Sequence, residues 1–336
     1  MRFHNLLYTL YRLNNRGVFK ISGIDNSAFL QGLITNDVNL LSNNSKGVLP
    51  AFVLNSQGRV LYDILIYSIP KENQLEFYIE CDLSQLVNLK SYILKFKMRK
   101  KIDILDETLN VLGYIPKICQ ESNIQKLKID YLNYATSVVK KCDSISDIIT
   151  TQFDPRSLKL GLRMIIKAEL DIAKLLNNIS KPFDKDFEML PISQYTSYRY
   201  RLGIGEGSID HPVGQCLPLE SNADYLNSVS FTKGCYIGQE LTSRTYHTGV
   251  IRKRLMPIVL EDNSLSDINQ PTIPQGIDMY NQNGKKCGVF RNRIGKYGLG
   301  LLKIQESLDK KLHIKFDNRE ITMTTHKPEW WPANDI

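Results

Sequence analysis

The residues whose types and spacing could do chemistry gather around one cysteine. In Phe231-Thr-Lys-Gly-Cys-Tyr-Ile-Gly-Gln-Glu240, followed by Leu-Thr-Ser-Arg244-Thr-Tyr-His247, Gly234 and Gly238 bracket Cys235 in a loop. The pattern predicts a helix starting over Gln239 to Tyr246. A thiol near a helix N-terminus feels the positive end of the helix dipole, and Lys233 adds a nearby cation. Both favour the thiolate, the form that acts as nucleophile or metal ligand. The plainer alternative is a small buried residue, the commonest fate of an isolated cysteine. Cys81, Cys119, Cys142, Cys216 and Cys287 lack the combination of flanking glycine, lysine and helix start, and read as structural. His247 could serve Cys235 as a base, but no orienting Asp or Asn is evident, so a hydrolytic Cys–His site is the weaker reading.

None of the six cysteines forms a C-x-x-C pair or a Cys/His cluster with zinc spacing. Without a secretory signal peptide, they read as reduced thiols of an intracellular compartment. If Cys235 ligates a metal or cluster, the other ligands must come from a partner or an exogenous molecule.

The elements that must position this loop belong to a chain of 336 residues, 42% hydrophobic and 23% charged, enough for two or three compact units. No apolar run approaches the roughly 18 residues of a membrane span, so no transmembrane segment is expected. The net charge of +8 is spread along the chain, apart from Lys95, Lys97, Arg99, Lys100 and Lys101, which read as a solvated face. There is no recognition helix, zinc finger or aromatic RNA-binding signature, so nucleic acid is not an expected partner. The first 24 residues lack acid and carry Arg2, Arg12, Arg16 and Lys20, so residues 1–14 are a candidate mitochondrial targeting segment. Val18, Phe19 and Ile21 already look like core.

Residues 17–21 read as a strand, and Asp25 or Ser27 as the cap of a short helix through Leu30. Ser56-Gln57-Gly58 is a turn signal between strands Ala51–Leu54 and Arg59–Tyr67. Leu75–Glu80 reads as a strand, and Leu83–Phe96 as a helix with Leu83, Leu86, Val87 and Leu94 on its apolar face. The polar stretch 105–150 is expected to form a variable edge, followed by a strand over Leu160–Lys167 and a helix over Ile192–Leu202 stopped by Gly203. From about residue 250, six short strand candidates alternate with turns, the pattern of a small β-barrel. The class is α+β. There is no G-x-G-x-x-G after a strand, no P-loop and no G-x-S-x-G elbow, which removes the usual support for nucleotide and serine-hydrolase chemistry.

Lys233-Gly-Cys-Tyr-Ile-Gly-Gln-Glu240 resembles the K-G-C-[FY]-x-G-Q-E motif of the YgfZ-type folate-binding family, relatives of the glycine-cleavage T-protein. Leu30-Gln-Gly-Leu-Ile-Thr-Asn-Asp37, Asn55-Ser-Gln-Gly-Arg-Val-Leu-Tyr-Asp63, and Asp154-Pro-Arg156 with Leu160, Gly161 and Arg163 support the resemblance. Gly249-Val-Ile-Arg-Lys-Arg254 and Trp330-Trp331-Pro332 resemble its mitochondrial branch. The resemblance implies a three-lobed T-protein-like fold around a folate-sized cavity, with a two-lobed α+β region over residues 15–248 and a small C-terminal β-barrel over 249–336. It implies a factor of the mitochondrial matrix that matures [4Fe–4S] proteins, a monomer alone and a heterodimer with an A-type iron–sulfur carrier. Cys235 would ligate a cluster shared with that carrier, with Lys233, Gly234, Tyr236, Gly238, Gln239 and Glu240 shaping its loop.

The resemblance also implies tetrahydrofolate as a cofactor, but the sequence departs from the family there. Tyr62 and Asp63 stand where T-proteins carry an Asp-Asp pair. Arg199-Tyr-Arg201-Leu-Gly203 stands where many relatives have R-x-E-x-G, with Glu206 three residues beyond Gly203. Asp63, Arg199 and Glu206 are therefore the folate candidates. The alternative to an assembly factor is a tetrahydrofolate-dependent one-carbon transferase of aminomethyl type. A third reading is a folate-binding or interaction module without chemistry.

Overall fold

Runs of apolar residues build two five-stranded sheets in the N-terminal half. The structure is a computed structural model that describes residues 8–41, 47–71, 74–116, 128–175, 187–261 and 273–333. Its elements begin with β1 (Tyr8–Arg12), β2 (Arg16–Ser22), α1 (Asn26–Gln31), β3 (Gly47–Leu54), β4 (Val60–Lys71), β5 (Gln74–Asp82) and α2 (Leu86–Leu94). They continue with β6 (Asp103–Asp106), β7 (Leu109–Pro116), α3 (Lys128–Cys142), β8 (Ile148–Phe153), β9 (Leu162–Lys167) and β10 (Phe187–Leu190). One sheet has the order β3-β4-β5-β2-β6 and the other β10-β1-β7-β9-β8.

The stretch 105–150 corrects the sequence expectation. β7 is the central strand of its sheet, with Val111, Leu112, Tyr114 and Ile115 all buried. A strand covered on both faces shows a continuous apolar run rather than alternation, which is why its polar surroundings hid it. The helix over Leu83–Phe96 is also corrected. Regular α-helix covers only Leu86–Leu94, and its buried pair is Leu89 and Ile93, one turn apart, while Leu83, Val87 and Leu94 are exposed. Within the candidate targeting segment, Tyr8–Arg12 is a strand that pairs parallel to β10 and antiparallel to β7. Cleavage after residue 14 would remove it, and residues 1–7 lie outside the described residues.

A buried ion network joins these two sheets. Glu80 on β5 is fully buried and receives Arg16 at 2.8 Å, Arg163 on β9 at 2.5 Å and the Tyr67 hydroxyl at 2.7 Å. Arg163 also reaches Asp154 at 3.3 Å, and Arg156 holds the same carboxylate at 2.7 Å. Burial and the neighbouring Glu80 charge push the Tyr67 phenol well above its usual value, so it remains a donor. Every charge here has an opposite partner, the condition under which buried charges are tolerated.

The chain falls into two compact units, the first Met1–Ala51 with Ile64–Ile192, the second Phe52–Asp63 with Ser193–Ile336. The second contains α4 (Ile192–Leu202), α5 (Gly207–Asp210), α6 (Gln239–Thr248), β11 (Lys253–Leu260), β12 (Asp278–Asn281), β13 (Lys286–Ile294), β14 (Tyr297–Lys303), α7 (Ile304–Ser307), β15 (Leu312–Phe316) and β16 (Arg319–Thr325). The six strands close a barrel in the order β11-β14-β13-β12-β15-β16, filled by Met256, Ile258, Phe290, Leu302, Ile314 and Met323. α4 ends at Gly203, whose φ of +75° suits glycine, and the Trp330 indole donates to the Leu202 carbonyl at 2.7 Å.

Replacing Glu80 with Gln strips the charge that pairs Arg16 and Arg163. Guanidinium unfolding of Glu80→Gln is expected to show a loss of about 3–5 kcal/mol, the usual cost of breaking a buried pair from one side.

Candidate functional site

The loop around Cys235 is seated by two glycines that interlock backbone to backbone. The β3–β4 turn is organised by Asn55, whose side chain accepts from the amides of Gln57 at 3.0 Å and Arg59 at 2.9 Å. Gly58 at its tip has φ +77°, and Gly238 in the motif has φ +78°. A Cβ on Gly238 would lie 2.2 Å from the Asn55 carbonyl oxygen, and one on Gly58 would lie 2.9 Å from the Gly238 carbonyl. No residue but glycine fits either position. Gly234, the other glycine beside Cys235, has open space where a Cβ would go. The two segments singled out in the sequence, 55–63 and 233–240, thus form one site.

From this seat α6 starts at Gln239, as the spacing predicts. The Gln239 side chain accepts from the Tyr236 amide at 3.1 Å, closing the loop on itself. Glu240 lies in the first turn, where its charge favours the helix dipole. Tyr236 buries its ring against Phe52, Leu54, Val60, Cys216 and Ala223. Its hydroxyl finds no partner, and burial pushes the phenol up to about 12. Lys233 places its ammonium over the Tyr236 ring, 5.0 Å from the centroid.

Cys235 is exposed at the tip of this loop. Cys81, Cys142, Cys216 and Cys287 are buried as expected, and Cys119 lies outside the described residues. Burial pushes the Cys216 thiol up to about 11 and raises that of Cys287, so both stay protonated and inert. No hydrogen bond joins His247 to Cys235. The imidazole instead meets Tyr246 edge-on at 5.2 Å, and Tyr246 stacks on Phe231 with centroids 3.5 Å apart. A catalytic Cys–His pair is therefore absent from the described geometry. No group of three or more His, Cys, Asp or Glu side chains among the described residues could hold a metal ion.

The three folate candidates come together in the second unit, around two residues that the sequence reading missed, Asp210 and His211. Arg199 donates to Asp210 at 2.9 Å and to the Ile204 carbonyl at 2.8 Å, and its Nε lies 3.9 Å from Glu206. Burial opposes the Arg199 charge, but Asp210 and Glu206 outweigh it and raise its pKa. Asp63 accepts from the Gly207 amide at 3.0 Å. His211 is buried, and burial lowers its pKa, with Asp63 and Asp210 opposing, which keeps the ring neutral at pH 7. The only sequence signal for Asp210 was its four-residue spacing from Glu206, whose amide it accepts at 2.8 Å. Arg199 and Glu206 are almost wholly removed from solvent and Asp63 accepts from a backbone amide, while the Arg199 Nε, one Glu206 carboxylate oxygen and the His211 Nδ1 are buried without a hydrogen bond among the described residues.

Comparison with known proteins fits this picture. Over 97% of its length the chain is 34% identical to the mouse "Iron-sulfur cluster assembly factor IBA57, mitochondrial", covering 86% of that relative. The human protein of the same name is 32% identical over the same shares of the two chains. The chain belongs to the IBA57 family. Like these relatives it is a mitochondrial iron–sulfur cluster assembly factor. Residues 252–333 match the family model "CAF17, C-terminal beta-barrel domain", which begins one residue before β11. The fold resembles the crystal structure of glycine cleavage system aminomethyltransferase T from Bartonella henselae, with a TM-score of 0.67 over 96% of this chain and 86% of that one. At 12% identity that likeness concerns the fold alone. The T-protein-like architecture and the barrel expected from the sequence are thus present.

Gly238→Ala is expected to cost about 2 kcal/mol or more in urea unfolding, while Gly234→Ala stays within about 0.5 kcal/mol of the parent. Tyr236→Phe removes a buried hydroxyl without a partner and is expected to leave stability unchanged or raise it by about 1 kcal/mol. The parent should lose stability between pH 10 and about 12, because the unfolded phenol releases its proton first. Melting curves of Tyr236→Phe should lack that component.

Proposed function

We propose that this chain matures mitochondrial [4Fe–4S] proteins together with an A-type iron–sulfur carrier, and that Cys235 gives one thiolate to a cluster held between the two. The observation that carries this reading is the placement of Cys235: the one exposed cysteine among the described residues, on a loop fixed by glycine packing. A cluster is the cargo, and it is held by several thiolates. This site offers one, so the others would come from the carrier, and the complex would be a heterodimer of a chain that is monomeric alone. Binding requires loss of the Cys235 proton to solvent, which the exposed position permits. Seating the loop on the Asn55–Arg59 turn presents the thiol without the ordering cost of a mobile segment.

Folate is given no step in this mechanism; the cluster of Arg199, Glu206 and Asp210, with Asp63 on the Gly207 amide, is where the resemblance would seat it. The cysteine-centred motif, and Tyr62 where T-proteins carry a carboxylate, weigh against the one-carbon transferase.

The test is anaerobic reconstitution with an A-type carrier, read by visible absorption and size-exclusion chromatography. The parent is expected to form a coloured complex, and Cys235→Ser to lose the thiolate-to-iron bands at least tenfold while keeping its melting temperature. An unchanged complex and spectrum with Cys235→Ser would sink the proposal.

A further inference from the structure

A cavity of about 250 Å³ opens beside α6, on the flank of the helix that the motif begins. Leu241 and Ile251 contribute to its apolar wall, and Glu220, Thr242, Arg252 and Lys253 also line it. Its position is firm, because the Glu220 carbonyl accepts from the Leu255 amide at 2.7 Å and the Leu217 carbonyl from the Ser221 amide at 3.0 Å.

Two side chains in this wall make no hydrogen bond among the described residues. The half-buried Glu220 side chain makes no hydrogen bond and no close ion pair with any described residue, although the charges of Lys253, Arg291 and Arg59 act on it from farther off. Thr242 is buried, and its hydroxyl is likewise without a hydrogen bond. Burial raises the Glu220 carboxyl above its usual value, against the opposing charges of Lys253, Arg291 and Arg59. Arg252 and Lys253 themselves are exposed and keep their water. The demand left in the cavity is therefore for hydrogen-bond donors facing a carboxylate, beside walls that favour an apolar body. Two carboxylate oxygens match a planar fork of two N–H groups.

We propose that this cavity binds a small aromatic or heteroaromatic molecule with an amidine-type donor edge, its N–H groups on Glu220 and its ring against Leu241 and Ile251. The volume suits a one- or two-ring molecule. Such a ligand would rest on the helix whose first turn holds the Cys235 loop, and the site stands whether or not Cys235 ligates a cluster.

The experiment titrates the full-length protein with benzamidine by saturation-transfer NMR and calorimetry, with benzoate as the carboxylate isostere. Saturable binding of one benzamidine per chain is expected, with benzoate at least tenfold weaker. Glu220→Gln should weaken benzamidine at least tenfold, and Ile251→Trp, which fills the cavity, should abolish binding. Circular dichroism and thermal melting check the fold of each variant, so that either alone keeps the test decisive. Absence of saturable benzamidine binding overturns the proposal. So does equal affinity in folded Glu220→Gln or Ile251→Trp, or tighter binding of benzoate.

Discussion

Close approach of two backbones, at Gly58 and Gly238, is the constraint on which the arrangement of the site rests. It lets a loop without regular structure lie directly against a β-turn, where any side chain would force the two apart. Asn55 stiffens the turn, Gln239 ties the loop, and the Tyr236 ring anchors it in an apolar cluster. Between these fixed points Cys235 projects outward with a rigid base beneath it. Gly238, Tyr236 and Gln239 thus fix the loop on which the exposed Cys235 sits.

Charge is buried in the same way in the two units. In the first, Glu80, Asp154, Arg16, Arg156 and Arg163 are enclosed in a network where carboxylates and guanidiniums hold each other. Family-like residues that looked chemical in the sequence, Asp154, Arg156 and Arg163, turn out to join the two sheets. In the second unit the Arg199 cluster does similar structural duty, clamping the turn after α4 through Asp210 and Glu206. Buried charge of this kind specifies an arrangement more than it stabilises one, because desolvation offsets most of the attraction.

A single exposed thiol on a rigid loop is a poor hydrolase and a poor metal site alone. Nothing orients a base toward it, since His247 is occupied with Tyr246 and Phe231. As a contributor to a ligand set completed by another protein, the same geometry is well suited, because the thiol is accessible and its backbone is already ordered. This agrees with membership in a family of iron–sulfur cluster assembly factors.

The sequence by itself determined the local and motif-level features. The barrel strands, the stop of α4 at Gly203 and the start of α6 at Gln239 follow from turn chemistry, periodicity and capping, which act over a few residues. Cys235 was legible as the distinctive thiol for the same reason. Tertiary structure alone decided what depends on residues far apart in the chain. β7 was hidden because its burial comes from neighbours on both faces, and Val87 and Leu94 were misassigned because packing selected Leu89 and Ile93 instead. The meeting of Gly58 with Gly238 and of Arg199 with Asp210 likewise had no local signal. Long-range contacts are set by how elements pack, and no periodicity records that.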